Sequence, residues 1–270
     1  MSPPPASPIP SRSPAPASRR LELIAIPGLP DFEPGDDLAA TVLAALARAG
    51  IELQAADVLV VAQKIVSKCE GAYVCLDEVT PAAHALEIAA ITGKDARLIE
   101  VILAETSEVL RARDGVIVVA TRAGHVCANA GVDASNIPPS GPQRVLKLPA
   151  DADLSARHIR SALELATGLR LAVIINDSWG RAWRNGTIGH AVGVSGIAAL
   201  WDRRGELDMY GRELRVTQIG YADEIAAAAS LVMGAAGERQ PVVVVRGLQA
   251  PDGNGTARDL VRDKSRDLFR

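Results

Sequence analysis

The stretch DVLVVAQKIVSK, Asp57 to Lys68, runs apolar without a break to Ala62 and turns polar at Gln63. A strand apolar on both faces is one covered on both sides, the situation of a strand inside a layered α/β sheet. The C-terminal end of such a strand is where α/β sheets receive ligands. Gln63, Lys64, Ser67 and Lys68 are therefore the first candidates for chemistry.

The same pattern recurs along the chain. LAVIIN, Leu171 to Asn176, is a strand that runs into the polar word NDSWGRAWR, and GVIVVAT and PVVVVRG are two further buried strands. LELIAI, Leu21 to Ile26, opens the fold and is stopped by PGLP. Helices are expected in between. One follows Asp36 and Asp37 and ends at Gly50; one starts at Pro81; one spans DARLIEVILAETSEVLRA from Asp95; one starts near Ser155 and stops at Gly168; and one is ADEIAAAASLVMG. The segment from Gly186 to Gly220 is punctuated by glycine and reads as short strands with hairpins. Strands and helices in this order give an α/β class with mixed α+β character. Residues 1–20, rich in Pro and Ser, read as a disordered leader; 21–250 form the domain; 251–270 alternate charges at a helical spacing and read as a helical tail.

Bulk properties remove several function classes. The 29 Lys+Arg residues against 32 Asp+Glu leave a net charge of -3, so no basic field favours nucleic acid. No apolar run reaches the length of a membrane span, and the leader lacks the apolar core of a secretory signal. Three cysteines, Cys69, Cys75 and Cys127, show no CxxC spacing and read as small buried hydrophobes in a cytoplasmic protein. There is no P-loop GxxxxGK[ST], no GxGxxG and no HExxH; Ser195 in GVSG reads as a turn residue, and His84, His125, His158 and His190 as scattered surface or loop histidines.

Oxygen donors at strand ends remain. In CANAGVDASN, Asp133 and Asn136 can shape a turn, or supply a carboxylate and an amide to a cation-bound phosphate. In NDSWGRAWR, Asp177 and Ser178 can be a surface turn, or a carboxylate and hydroxyl suited to Mg²⁺ or Mn²⁺, with Arg181 and Arg184 as bidentate grips for phosphate or carboxylate. Lys64 and Lys68 are either solvated or point charges for phosphate. The small Ala130, Gly131 and Ala134 would let a phosphate approach the backbone.

At these residues the chain resembles the coenzyme F420:L-glutamate ligases, also called F420-0:γ-glutamyl ligases. The matching words are IPGLP with GDDLA, AQKIVSKCEG, KDARLIEVILAE, CANAGVDASN, SARHIRSALELATG, NDSWGRAWR, and ADEIAAAASLVMG with PVVVVRG, in order from Ile26 to Gly247. The resemblance implies an α/β ligase fold of its own type without a P-loop, and an intertwined homodimer. It implies GTP-dependent addition of L-glutamate to F420-0 through an acyl phosphate, then of further γ-linked glutamates, with Mg²⁺ or Mn²⁺ and K⁺. It also implies roles. Asp133, Asp177 and Ser178 stand at metal-ligand positions, and Asp133, Asp177 and Lys68 at catalytic ones. Pro27, Gly28, Leu29, Pro30, Gln63, Lys64, Lys68, Asn136, Met233, Gly234, Ala235 and Glu238 stand at GTP-contacting ones. The chain departs from the family word SDTFGRPWR at Asn176, Ser178, Trp179 and Ala182, and has Ala235 where a polar residue is usual. Other expectations compatible with the residues are an amide ligase for another carboxylate, or a nucleotide- or deazaflavin-binding module without turnover.

Overall fold

β2 (Val58–Ala62) occupies the middle of a five-stranded sheet, and its uninterrupted apolar run has a direct cause. Val58 and Val60 enter one hydrophobic core, whereas Leu59 and Val61 enter another on the opposite face. The computed structural model describes residues 18–137, 141–249, 251 and 253–268. Most of the leader expected over residues 1–20 therefore lies outside the described residues, and Ser18 to Arg20 are exposed.

The sheet has the order β1 (Glu22–Ala25), β12 (Val242–Arg246), β2, β8 (Ala172–Arg181) and β9 (Arg184–Ser195). Only β2 and β8 run parallel, with Ala62 level with Asn176; the other neighbours are antiparallel. One face is covered by α1 (Leu38–Ala49), α2 (Gln63–Cys69) and α5 (Ala152–Thr167), the other by α6 (Tyr221–Met233). Asp37 caps α1 by accepting the Ala40 N–H at 2.9 Å, and Gly50 ends it in a left-handed conformation that a residue with a Cβ resists.

A third hydrophobic cluster forms beside this sheet. It gathers α3 (Ala83–Thr92), α4 (Ala96–Ala104) and the antiparallel sheet β4 (Thr106–Arg113), β5 (Val116–Thr121) and β6 (Val126–Ala128). β3 (Tyr73–Cys75) pairs with β7 (Arg144–Leu146), and β10 (Trp201–Asp202) with β11 (Gln218–Ile219). Thus the mixed α/β class holds.

Four boundaries differ from expectation. The helix expected through Ala112 ends at Ala104, and its second half is β4, because Asp114 and Gly115 turn the chain so that Thr106 to Arg113 pair with β5. The cap of α5 is Asp151, whose carboxylate accepts the Leu154 N–H at 2.9 Å, so Ser155 lies inside the first turn. The polar word after Asn176 stays in β8, paired with β9, and Ser195 ends that strand rather than sitting in a turn. The tail over the described residues up to Leu268 forms 3-10 turns at Ala257–Leu260 and Lys264–Arg266 in place of an α-helix. Leu260 packs on the α6 side of the sheet, Lys264 reaches Glu108 on β4 at 2.6 Å, and Leu268 is exposed. No helix of the described residues is long and apolar enough to cross a membrane.

Candidate active site at the junction of two cores

The parallel pair β2 and β8 ends at one edge of the sheet, and a cavity of about 630 Å³ opens there. That volume lies within the usual range for small-molecule sites. Three stretches wall it: the turn with Leu29, Pro30 and Phe32; Gln63, Lys64 and Lys68 on α2; and Met233 to Pro241 after α6. Asn176, Asp177 and Ser178 from β8, with Thr187 to Gly189 from β9, form the floor. An ion pair of 2.7 Å between Arg239 and Asp31 ties the first wall to the third.

Asp133 arrives from the other core. The chain reaches it through Asn129, Ala130 and Gly131, three successive residues with positive φ. Two of these carry a Cβ, so the turn holds strain of the kind that persists only when surrounding packing fixes it. Ala130 is buried in the third cluster, and a Cβ on Gly131 would meet Leu148 at 2.7 Å. Protein packing by itself thus calls for small residues at Ala130 and Gly131. Beyond the turn, Asp133 pairs in antiparallel fashion with Leu146 and accepts the Ser135 N–H at 2.7 Å.

Lys64 bridges the two halves: its Nζ lies 2.6 Å from Asp133 Oδ2. Burial opposes ionisation of Asp133, but the Lys64 ammonium and the Ser135 hydrogen bonds outweigh it and hold the carboxyl below its ordinary value. Asp177 shows the opposite balance. Burial pushes its carboxyl up, against the Trp179 indole N–H at 2.7 Å, the field of Lys64 and the Ser178 N–H. The charge of Asp133 adds to that upward push, so the two carboxylates share one electrostatic neighbourhood and both feel Lys64. Asp133 itself stands behind Lys64, not on the cavity wall.

The remaining candidates divide by position. Lys68 lines the cavity and donates to the Asn136 carbonyl at 2.8 Å, and Asn136 also lines it. Gln63 lines it, yet its Nε2 is committed to Ser67 Oγ at 2.6 Å and to the Lys147 carbonyl at 3.2 Å, so its side chain holds α2 to the residue that follows β7. Leu29, Pro30, Met233, Gly234, Ala235 and Glu238 are wall residues, whereas Pro27 and Gly28 lie just outside. Arg181 and Arg184 face each other across the far end of the β8 and β9 hairpin and do not line the cavity. Cys127 is buried, and burial pushes its thiol up to about 12, which keeps it protonated; Cys69 and Cys75 are half-buried.

The model of the F420-0:gamma-glutamyl ligase family matches residues 28–247, a span that contains every wall of the cavity and both carboxylates. The chain belongs to this family. It is 46% identical over 254 residues to the coenzyme F420:L-glutamate ligase of Methanothermobacter thermautotrophicus, covering 93% of this chain and 99% of that protein. The corresponding enzymes of Methanocaldococcus jannaschii and Archaeoglobus fulgidus are 44% and 42% identical, over 252 and 251 residues, covering 93% of this chain in each case and 98% and 97% of those proteins.

Within this F420-0:gamma-glutamyl ligase chain, Asp133, Asp177 and Ser178 are donors of the type a hard divalent cation takes. No group of three or more His, Cys, Asp or Glu suited to a metal is present among the described residues. Two carboxylates and the Ser178 hydroxyl offer oxygen only, the preference of Mg²⁺ or Mn²⁺ ions that take their remaining ligands from phosphate and water. Sequence reasoning missed the contribution of β9. Thr187, Ile188 and Gly189 reach the floor only because the hairpin register sets Ser178 opposite Gly189, a relation with no local signal.

Proposed function

We propose that this family member is a coenzyme F420:L-glutamate ligase that joins the amine of L-glutamate to the carboxylate of F420-0 at the expense of GTP, and then adds further γ-linked glutamates. The observation that carries the reading is the convergence of Lys64, Lys68, Asp177 and Ser178 on the wall of a nucleotide-sized cavity, with Asp133 paired to Lys64 behind it. A carboxylate and an amine do not condense in water, because the carboxylate is a poor electrophile with a poor leaving group. In the proposed sequence an oxygen of the F420-0 carboxylate attacks the γ-phosphorus and GDP leaves. The glutamate amine then attacks the acyl carbon, loses a proton, and phosphate leaves.

Each step concentrates negative charge, and the chain meets it with fixed positive groups. Lys64 and Lys68 sit on the same face of α2, four residues apart, and offset phosphate charge from one side. Asp133, Asp177 and Ser178 would hold Mg²⁺ or Mn²⁺, which when bound neutralises phosphate oxygens and fixes their geometry. The turn at Leu29 to Phe32 and the loop after α6 flank the cavity and limit access of water, which would otherwise hydrolyse an acyl phosphate. K⁺, a homodimer and a cytoplasmic location belong to the same proposal.

Incubation of the full chain with F420-0, L-glutamate, GTP and Mn²⁺, followed by mass spectrometry, is expected to give F420-0 species heavier by one or more glutamyl residues. Absence of any mass gain would refute the reading. GTP turnover with F420-0 rejected would instead indicate an amide ligase for another carboxylate.

A further inference from the structure

Trp179 follows Asp177 by two residues on β8, so the alternation of a strand puts both side chains on one face. Its indole Nε1–H donates to Asp177 Oδ2 at 2.7 Å, while Oδ1 accepts the Ser178 N–H at 2.9 Å. With each oxygen anchored once, the carboxylate is held in a single rotamer and each oxygen keeps an acceptor site free. Hydrogen bonds to an ionised group are among the stronger ones, and those made to metal-ligating carboxylates tune affinity for the ion.

The indole is itself fixed. His190, the cross-strand partner of Asp177, stacks on Trp179 with centroids 5.5 Å apart and planes 27° from parallel. His125 meets the same ring in a T-shaped contact at 5.0 Å. The His190 ring nitrogen Nδ1 lies 3.1 Å from the Ile188 carbonyl, which ties that imidazole to its own strand. A side chain that only filled volume here would need the ring but not the N–H. The partner of that N–H is a cavity-floor carboxylate rather than a backbone carbonyl, so the nitrogen has a use that packing does not supply.

We propose that Trp179 is a positioning residue: its Nε1–H, which the Phe usual at this place in the family word lacks, holds Asp177 in one rotamer and tightens this chain's grip on a divalent cation. This rests on the cation reading given above. Trp179→Phe keeps an aromatic ring between His125 and His190, deletes the donor and narrows the ring. Mn²⁺ binding to the full chain without nucleotide, followed by the electron paramagnetic resonance of free Mn²⁺, is expected to weaken roughly tenfold in Trp179→Phe. In a Trp183→Phe, Trp201→Phe double variant, Trp179 is the only indole of the three, and Mn²⁺ is expected to quench its emission over the same concentration range. Mg²⁺, which is diamagnetic, is not expected to do so. Mn²⁺ affinity within twofold of wild type in Trp179→Phe would overturn the proposal while leaving the cation reading intact. If that variant fails to fold, unquenched emission in the sole-indole variant overturns it equally. No Mn²⁺ binding by the wild type, either alone or with GDP supplying phosphate ligands, would refute the cation reading itself, and the role of Trp179 with it.

Discussion

Lys64 is the positive group that both candidate carboxylates share, since its ammonium pairs with Asp133 and favours ionisation of Asp177. Removing one carboxylate therefore removes half the anionic charge of the candidate site while leaving the packing around it in place. Asp177→Asn is expected to lower ligase turnover by roughly 100-fold or more and to abolish a rise in melting temperature that Mn²⁺ is expected to give the wild type. For the wild type that stabilisation should reach about 2.7 kcal/mol at a hundredfold excess over Kd. Lys68→Ala should raise the KM for GTP more than that for glutamate; equal changes in steady-state assays would remove Lys68 from nucleotide binding. His125 provides a pH signature. Burial holds its imidazole below the ordinary value, against the fields of Asp153 and Asp223 and assisted by that of His190. The unfolded chain therefore takes up the proton first, so stability is lost as pH falls just below the ordinary histidine range. Urea midpoints between pH 7.5 and 5.5 should decline, and His125→Phe should flatten that slope. At this scale the candidate residues were largely legible, because Asp133, Asp177, Lys64 and Lys68 flank apolar strands as oxygen donors or point charges. The Lys64 to Asp133 ion pair was not, because 69 residues of chain separate partners that only the packing of two cores brings to 2.6 Å.

The elements explain which boundaries could be read in advance. β2, β8 and β12 send alternate residues into opposite cores, so their runs of Val, Ile and Leu announce themselves. β4 did not, since Thr106 to Arg113 continues the periodicity of α4 and becomes a strand only by pairing with β5. The same holds for the extension of β8 through Arg181, where polar residues remain in a ladder because β9 supplies partners. A register shift between Ile175 and Asn176 occurs immediately before Asp177. Such irregularities bend a strand and re-aim the side chains that follow. Gly189 on β9 makes this arrangement possible: a Cβ there would lie 2.3 Å from Ser230 Oγ, 2.5 Å from the Ala226 carbonyl and 2.6 Å from Asn176 Oδ1. Gly189→Ala must push α6 away from the sheet, and is expected to cost about 1 to 3 kcal/mol in urea unfolding and to lower nucleotide affinity. A variant with unchanged stability would mean that α6 adjusts without loss.

The whole molecule places its candidate chemistry where separately packed bodies meet: the central sheet brings Asp177, Ser178 and the lysines, and the neighbouring cluster brings Asp133. The sheet is braced at the opposite end by Arg246, whose guanidinium donates to both carboxylate oxygens of the buried Asp57 at 2.9 and 2.7 Å and to the Glu52 carbonyl at 2.8 Å. Arg246→Met would strand a buried carboxylate and is expected to destabilise the fold by about 3 kcal/mol, measured by urea denaturation, with little change in KM for GTP. In the mechanism proposed above, this junction activates a carboxylate as its phosphate. The most direct test uses F420-0 labelled with ¹⁸O in its carboxylate and reads the inorganic phosphate released in the presence of GTP, L-glutamate and Mn²⁺ by ³¹P nuclear magnetic resonance. One ¹⁸O is expected in each phosphate formed with the amide, with loss of this signal in Asp177→Asn. Amide formation with unlabelled phosphate would contradict that mechanism.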